Sequence, residues 1–160
     1  MTYLLASDGF DDDGPGHFRR YMEYLQSVRE AFPPSAFALA SSEWYHTYSD
    51  HRCPHDSWLE SVTVRETASD ERHKKRSISI AVRLLGAYQD GYIELVYPNV
   101  HSYKFDMSLT EHGHRDWRYD ELRLSDKGNV LHEIEWCGPS DTGKWLIEAS
   151  DVEFRWLPKE

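Results

Sequence analysis

Residues 117–136, WRYDELRLSDKGNVLHEIEW, read as a β-hairpin. The flanks, 117–124 and 130–136, are rich in aromatic and branched residues. Ser125-Asp126-Lys127-Gly128-Asn129 between them is turn chemistry, with Gly128 where a left-handed residue is wanted. In the second flank Val130, His132, Ile134 and Trp136 share one face, while Leu131, Glu133 and Glu135 share the other.

The same period of two recurs on both sides. Upstream, Val62 and Val64 alternate with Ser61, Thr63 and Arg65. Ile78, Ile80, Val82 and Leu84 alternate with Ser77, Ser79, Ala81 and Arg83. Residues 68–76 are a charged connection, Asp90-Gly91 a turn, and Ile93, Leu95 and Tyr97 the next apolar face. Pro98-Asn99 breaks the run before Tyr103 and Phe105, and residues 110–115 are a loop. Downstream, residues 138–143 form a turn, followed by Trp145, Ile147 and Ala149 and then by Val152, Phe154 and Trp156. Every connection after residue 58 is short, and short connections force antiparallel neighbours.

The N-terminal part has another rhythm. Phe18, Tyr21, Met22, Leu25, Val28 and Phe32 fall on one face of a 3.6-residue period, which predicts a helix over 17–32 stopped by Pro33-Pro34. A second helix is expected over 35–42 with Ser35 as its cap. Tyr3-Leu4-Leu5 suits a short strand or helix, and the acidic run Asp11-Asp12-Asp13 before Gly14-Pro15-Gly16 suits a helix start. The expectation is an α+β chain: one domain over 1–160, with a helical region at 1–44 packed on an antiparallel sheet at 56–157. The sheet should be a strongly bent meander of about six to eight strands, barrel-like in its curvature.

At 160 residues the chain can bury a core without metals or disulfides. Six Trp and ten Tyr supply it. The formal charge of −10 and the lack of a basic stripe argue against nucleic acid and suit a basic protein partner. Cys53 and Cys137 make no disulfide framework. MTYLLASDGF lacks a basic leader and a small-residue cleavage site, and no stretch approaches the roughly 18 apolar residues of a membrane span. A cytoplasmic chain with no membrane contact is expected.

Candidate chemistry concentrates in residues 45–66, YHTYSDHRCPHDSWLESVTVRE. His46, His51, Cys53, His55 and Asp56 are metal-ligand and acid–base residue types. In an extended chain His51, Cys53 and His55 share a face at steps of about 7 Å. Together with His112 and His114 from the loop before Asp116, they make the alternative of a zinc or other divalent-metal site, in an enzyme or a small-ligand binder. The spacing contains neither a C-x-x-C pair nor an H-E-x-x-H helix. The structural alternative has His55 packing at the strand entrance and Asp56 bonding backbone N–H groups. A nucleophilic Cys53 needs an imidazole in reach, and Pro54 restrains it to an extended conformation. Gly138–Lys144 fails as a phosphate loop because Trp145 follows Lys144. Trp44, Tyr45 and Tyr48, in an irregular stretch, join His55 and Asp56 as the expected binding residues, with no cofactor required.

Residues 54–66, PHDSWLESVTVRE, resemble a loose group of small bacterial β-rich proteins whose sheet opens with an aromatic-His-Asp motif. The group includes an immunity protein family of polymorphic toxin systems. His55 and Asp56 match the His-Asp, and Leu59, Val62 and Val64 match the apolar positions; Pro54 stands where an aromatic is usual. The resemblance extends over 54–107. It implies a non-enzymatic binder that neutralises a toxin domain, and the acidic charge agrees with a basic target.

Overall fold

The computed structural model describes residues 1–5, 15–68, 70–72, 74–107, 111–137 and 142–160. The acidic run at 11–13, residue 110 of the expected 110–115 loop and residues 138–141 of the last turn lie outside them. Residues 1–5 form neither strand nor helix. The helices are α1 (Pro15–Val28) and α2 (Pro34–Ala40), followed by a 3-10 turn at Glu43–His46. The strands are β1 (Trp58–Ala68), β2 (Arg76–Leu85), β3 (Gly91–Tyr97), β4 (Val100–Met107), β5 (Asp116–Leu124), β6 (Val130–Cys137), β7 (Thr142–Ala149) and β8 (Glu153–Pro158).

All strand pairs are antiparallel, so the α+β expectation holds at that level. The 117–136 hairpin forms with Trp117 opposite Trp136 and Leu122 opposite His132, and Gly128 takes φ 79° in its turn. The meander and the barrel are both corrected. The strand order is β4-β7-β6-β5-β1-β2-β3-β8, an open sheet with β4 and β8 at its edges. Consecutive β3 and β4 do not pair with each other. Pro98 has no N–H for a ladder and Asn99 is left-handed at φ 47°, so the chain turns a corner and β4 joins β7 instead. β8 then returns to β3.

The two halves of the sheet, β1-β2-β3-β8 and β4-β7-β6-β5, meet through a single register pair, Trp58 with Asp116. Their inward faces share one core. Trp117, Trp136 and Trp145 are fully buried, with ring planes steeply inclined to one another. Ile80, Val82, Leu84, Ile93, Leu95 and Tyr97 line the other half. Tyr21, Leu25, Leu39 and Ala40 bring the helices onto this core.

Past Asp116 no strand among the described residues lies beside the outer edge of β5, and α1 serves in its place. The Tyr21 hydroxyl donates to the Leu122 carbonyl at 2.8 Å and accepts from the Leu122 N–H at 3.2 Å. The Tyr24 hydroxyl accepts from the Leu124 N–H at 2.8 Å. These side chains satisfy backbone groups that a buried edge cannot leave open.

Three local expectations change. α1 ends at Val28 and the chain turns through 29–32 before Pro33. Gly91 begins β3 rather than making the turn; the left-handed residue there is Gln89 at φ 59°. Glycine is needed at 91 because a Cβ would run into the Trp156 ring. Finally, Ser35 does not cap α2. Pro33 occupies the cap position, and Asp151, far along the chain, accepts from the N–H groups of Ala36 at 2.8 Å and Ser35 at 3.2 Å. The cap therefore also ties α2 to the segment entering β8. Asp151→Ala should lower stability by about 1 kcal/mol, as for other helix caps, read as a lower urea midpoint with an unchanged slope.

Candidate functional site: a cleft at the open edge of β5

Residues 45–57 run alongside β5 where β1 has left it. The Asp56 N–H donates to the Trp117 carbonyl at 2.8 Å, and the Trp117 N–H to the Ser57 carbonyl at 3.0 Å. Apart from these backbone bonds and side-chain links such as Tyr45 to Asp120, the segment leaves a cleft of about 480 Å³ against β5. That volume lies within the usual range for small-molecule sites. Leu4, Pro15 and Phe18 form an apolar wall. Tyr45, His46, Tyr48, Cys53 and His55, with Arg118, Tyr119 and Asp120 of β5, complete the lining, and the Phe18 ring packs edge-on against His46.

A bulge shapes the β5 contribution. Trp117 pairs with Trp136 and Tyr119 with Glu135, so Arg118 is an extra residue. The slip turns Tyr119 away from the core and brings Asp120, opposite Ile134, onto the inward face. There its carboxylate receives the Tyr45 hydroxyl at 2.6 Å, His132 Nε2–H at 2.8 Å and Trp117 Nε1–H at 3.0 Å. On its other side His132 Nδ1 lies 2.7 Å from the Tyr97 hydroxyl. With Nε2 protonated toward Asp120, Nδ1 accepts from Tyr97. Burial pushes the Asp120 carboxyl up, but the bonds from His132, Tyr45 and Trp117 outweigh it and hold the group below its usual range. Burial, with Asp120 nearby, pushes the hydroxyls of Tyr45 and Tyr97 well above theirs.

His55, also in the lining, is not part of this network. Its side chain is 10% exposed, and Nδ1 lies 3.2 Å from Asp56 Oδ2. The ring stacks on Tyr48 with centroids 3.6 Å apart and planes 15° apart. Burial lowers its pKa against the pull of Asp56, and Arg118 lowers it further. In the neutral ring with Nδ1–H toward Asp56, Nε2 is an acceptor. Nε2 is buried and has no partner among the described residues. Leaving such an atom unsatisfied costs about 1–3 kcal/mol. Asp56 itself is left-handed, at φ 63°, which Asp tolerates, and its Oδ1 lies 3.7 Å from Arg118.

The remaining expected site residues divide. Cys53 donates its thiol to the Tyr45 carbonyl at 3.1 Å, and burial pushes its pKa up to about 12, so the thiolate a nucleophile needs does not form near neutrality. His46 bonds the Ala40 carbonyl through Nε2 at 2.6 Å, and burial lowers its pKa. Trp44 points elsewhere, against Phe154 and under the Arg52 guanidinium. His51 lies outside the cleft, stacked on Tyr88 and paired with Asp90. His112 and His114 do not fold over His55; they line a separate cavity of about 500 Å³ with Trp58 and Asp116. The alternative metal set of His51, Cys53, His55, Asp56, His112 and His114 is therefore not assembled. Among the described residues no three His, Cys, Asp or Glu side chains are grouped to hold a metal ion. No helix among them is long and apolar enough to cross a membrane.

Sequence reasoning missed Arg118, Tyr119 and Asp120. The available signal was His132, a titratable residue in inward register between Val130 and Ile134, which calls for a buried partner.

Two outcomes are expected. His132→Leu, which strips Asp120 of one of its three donors, should cost about 1–3 kcal/mol in chemical denaturation, as when a buried acceptor is left unsatisfied. The second concerns pH. Burial lowers the pKa values of His46, His55 and His114 in the folded chain. The unfolded chain therefore takes up these protons first, and stability should be lost as pH falls from about 6.5, the ordinary histidine value. The melting temperature should drop between pH 7.5 and 5.5, with a shallower drop in His46→Gln.

No family model matches this chain, and no curated protein or solved structure is significantly similar to it.

Proposed function

We propose that this chain is a non-enzymatic binding domain whose cleft between residues 45–57 and β5 receives a small ligand. The observation that carries this reading is the cleft itself, of ligand size and lined by Phe18, Tyr45, Tyr48, His55 and Tyr119. Catalysis has less support. The Cys53 thiol is held protonated, and Asp120 is committed to three donors. A screen of small apolar fragments by ligand-observed NMR should yield binders that raise the melting temperature. Phe18→Arg, which puts a charge in the apolar wall, should abolish them while leaving the far-ultraviolet spectrum unchanged. A screen without Phe18-dependent binders would sink the cleft reading.

A protein partner is the second reading, in line with the resemblance to toxin-neutralising immunity proteins. Its support is the aromatic rim beside the cleft. Tyr48 and Tyr88 are each half exposed, and the Tyr88 hydroxyl lies 3.4 Å from the Tyr48 carbonyl, with His51 stacked on Tyr88. Exposed Tyr and His beside Arg52 form the kind of surface that protein interfaces favour. The acidic excess gives this reading less support, because Asp8, Asp11, Asp12, Asp13 and Asp141 all lie outside the described residues. Capture of a basic toxin domain that is lost in Tyr88→Ala, with no effect of Phe18→Arg, would favour the rim over the cleft.

A further inference from the structure

We propose that two copies of this chain join edge to edge through β4, making one continuous sheet with a twofold axis at Phe105. This surface shares no residue with the lining of the β5 cleft and does not depend on that reading. Three observations point to it.

First, β4 is an open edge. It pairs with β7 on one side, and among the described residues no strand pairs with its other side. Residues 101–104 and Asp106 are all exposed, Tyr103 to 45%. Such an edge offers a row of backbone N–H and C=O groups to another strand.

Second, the charges of β4 are complementary to themselves. Edge strands joined about a twofold axis normal to the sheet run antiparallel, and facing residues lie on the same side of the sheet. With Phe105 on the axis, Lys104 faces Asp106 of the second copy, and Asp106 faces its Lys104. Within one chain these two side chains lie 3.8 Å apart, 74% and 66% exposed. Lys144, opposite Asp106 in β7, is turned to Glu133 at 3.1 Å. A lysine alone keeps an edge from pairing. An aspartate two positions on makes the edge match a copy of itself.

Third, the other face of β4 fits the same register. Tyr103, Phe105 and Met107 lie opposite Ile147, Trp145 and Gly143 of β7. The Phe105 ring packs on Trp145 with centroids 4.3 Å apart, and Tyr103 on Phe105 at 5.3 Å. In the proposed pairing the two Phe105 rings meet at the axis. Each Tyr103 then faces a Met107 thioether, a favourable aromatic–sulfur contact.

The remaining edges lack this match. β1 pairs with β5 only at Trp58, so among the described residues its edge beyond that point is open too. Arg65 and Glu66 there lie on opposite faces, and no twofold pairing of β1 brings them together. In β8, Pro158 has no N–H to offer and Arg155 already lies 3.6 Å from Glu94.

Sedimentation equilibrium of the full chain, over a concentration series reaching about 1 mM, tests the pairing. The native chain should show a monomer–dimer equilibrium. Lys104→Asp sets acid against acid across the axis, and Asp106→Lys sets lysine against lysine. Each should weaken the dimer at least about tenfold. Both side chains are exposed, so the far-ultraviolet spectrum should not change. An equimolar mixture of the two variants should recover the native affinity within about threefold, because acid then faces lysine at both positions. The double variant Lys104→Asp/Asp106→Lys should dimerise on its own. A native chain that stays monomeric throughout would overturn a second copy as the occupant of this edge. A dimer indifferent to both reversals, or variants that weaken it without complementing each other, would overturn the pairing.

Discussion

The structure depends on one buried carboxylate, Asp120, and the three donors that converge on it. The sheet halves share a single strand pair at Trp58 and Asp116, which is little to hold an eight-stranded sheet together. Around Asp120 the polar links multiply. Trp117 comes from the same strand, His132 from β6, and Tyr45 from the segment that walls the cleft. Through His132 the chain of bonds reaches Tyr97 in β3, in the other half of the sheet. A charge buried this deeply is tolerable only when fully hydrogen-bonded, so each partner constrains where the others can sit.

The same economy governs the rest of the open edge. Where β5 lacks a neighbouring strand, side chains stand in for backbone. Tyr21 and Tyr24 meet Leu122 and Leu124, and Glu121 Oε2 accepts the N–H groups of Tyr3 and Leu4, each at 2.6 Å. Burial pushes the Glu121 carboxyl up, against the pull of Arg123 and those N–H donors. Arg123 bridges Glu121 and Glu133, which lie opposite one another across β5 and β6, and Lys144 of β7 adds a second cation to Glu133. Two facing carboxylates would repel; the arginine between them makes the pair cohesive. The N-terminal segment is pinned by this arrangement, and Leu4 thereby reaches the cleft wall.

The cleft follows from this architecture. It exists because β1 and β5 part after one pair, and its chemistry depends on the bulge at Arg118. Read in strict period two from Trp117, β5 would turn Tyr119 and Glu121 inward and Asp120 out. The extra residue reverses this, and Asp120 becomes the inward group. A bulge leaves little trace in a single sequence, because it is a pairing event between two strands. The two Glu carboxylates on the outer face are equally hidden, since their burial depends on Arg123 and on the N-terminal segment laid over them.

What could be read from the residues alone was whatever depends on neighbours a few positions away. The period of two over 78–84, 93–97 and 130–136 names the inward faces, since alternation is a local property of extended backbone. Gly128 marks its turn, and the apolar stripe of α1 follows from helical spacing. Residues 45–56 stand out by their density of His, Cys and aromatic side chains. Tertiary structure decided everything that needed a partner distant in sequence. It chose β7 rather than β3 as the neighbour of β4, Asp151 rather than Ser35 as the cap of α2, and Tyr21 as the companion of Leu122. It also separated His51 and His112 from His55, and placed Asp120 where His132 could reach it. These outcomes rest on pairings that local sequence spacing does not encode, settled by which backbone and side-chain polar atoms must be satisfied once the core is closed.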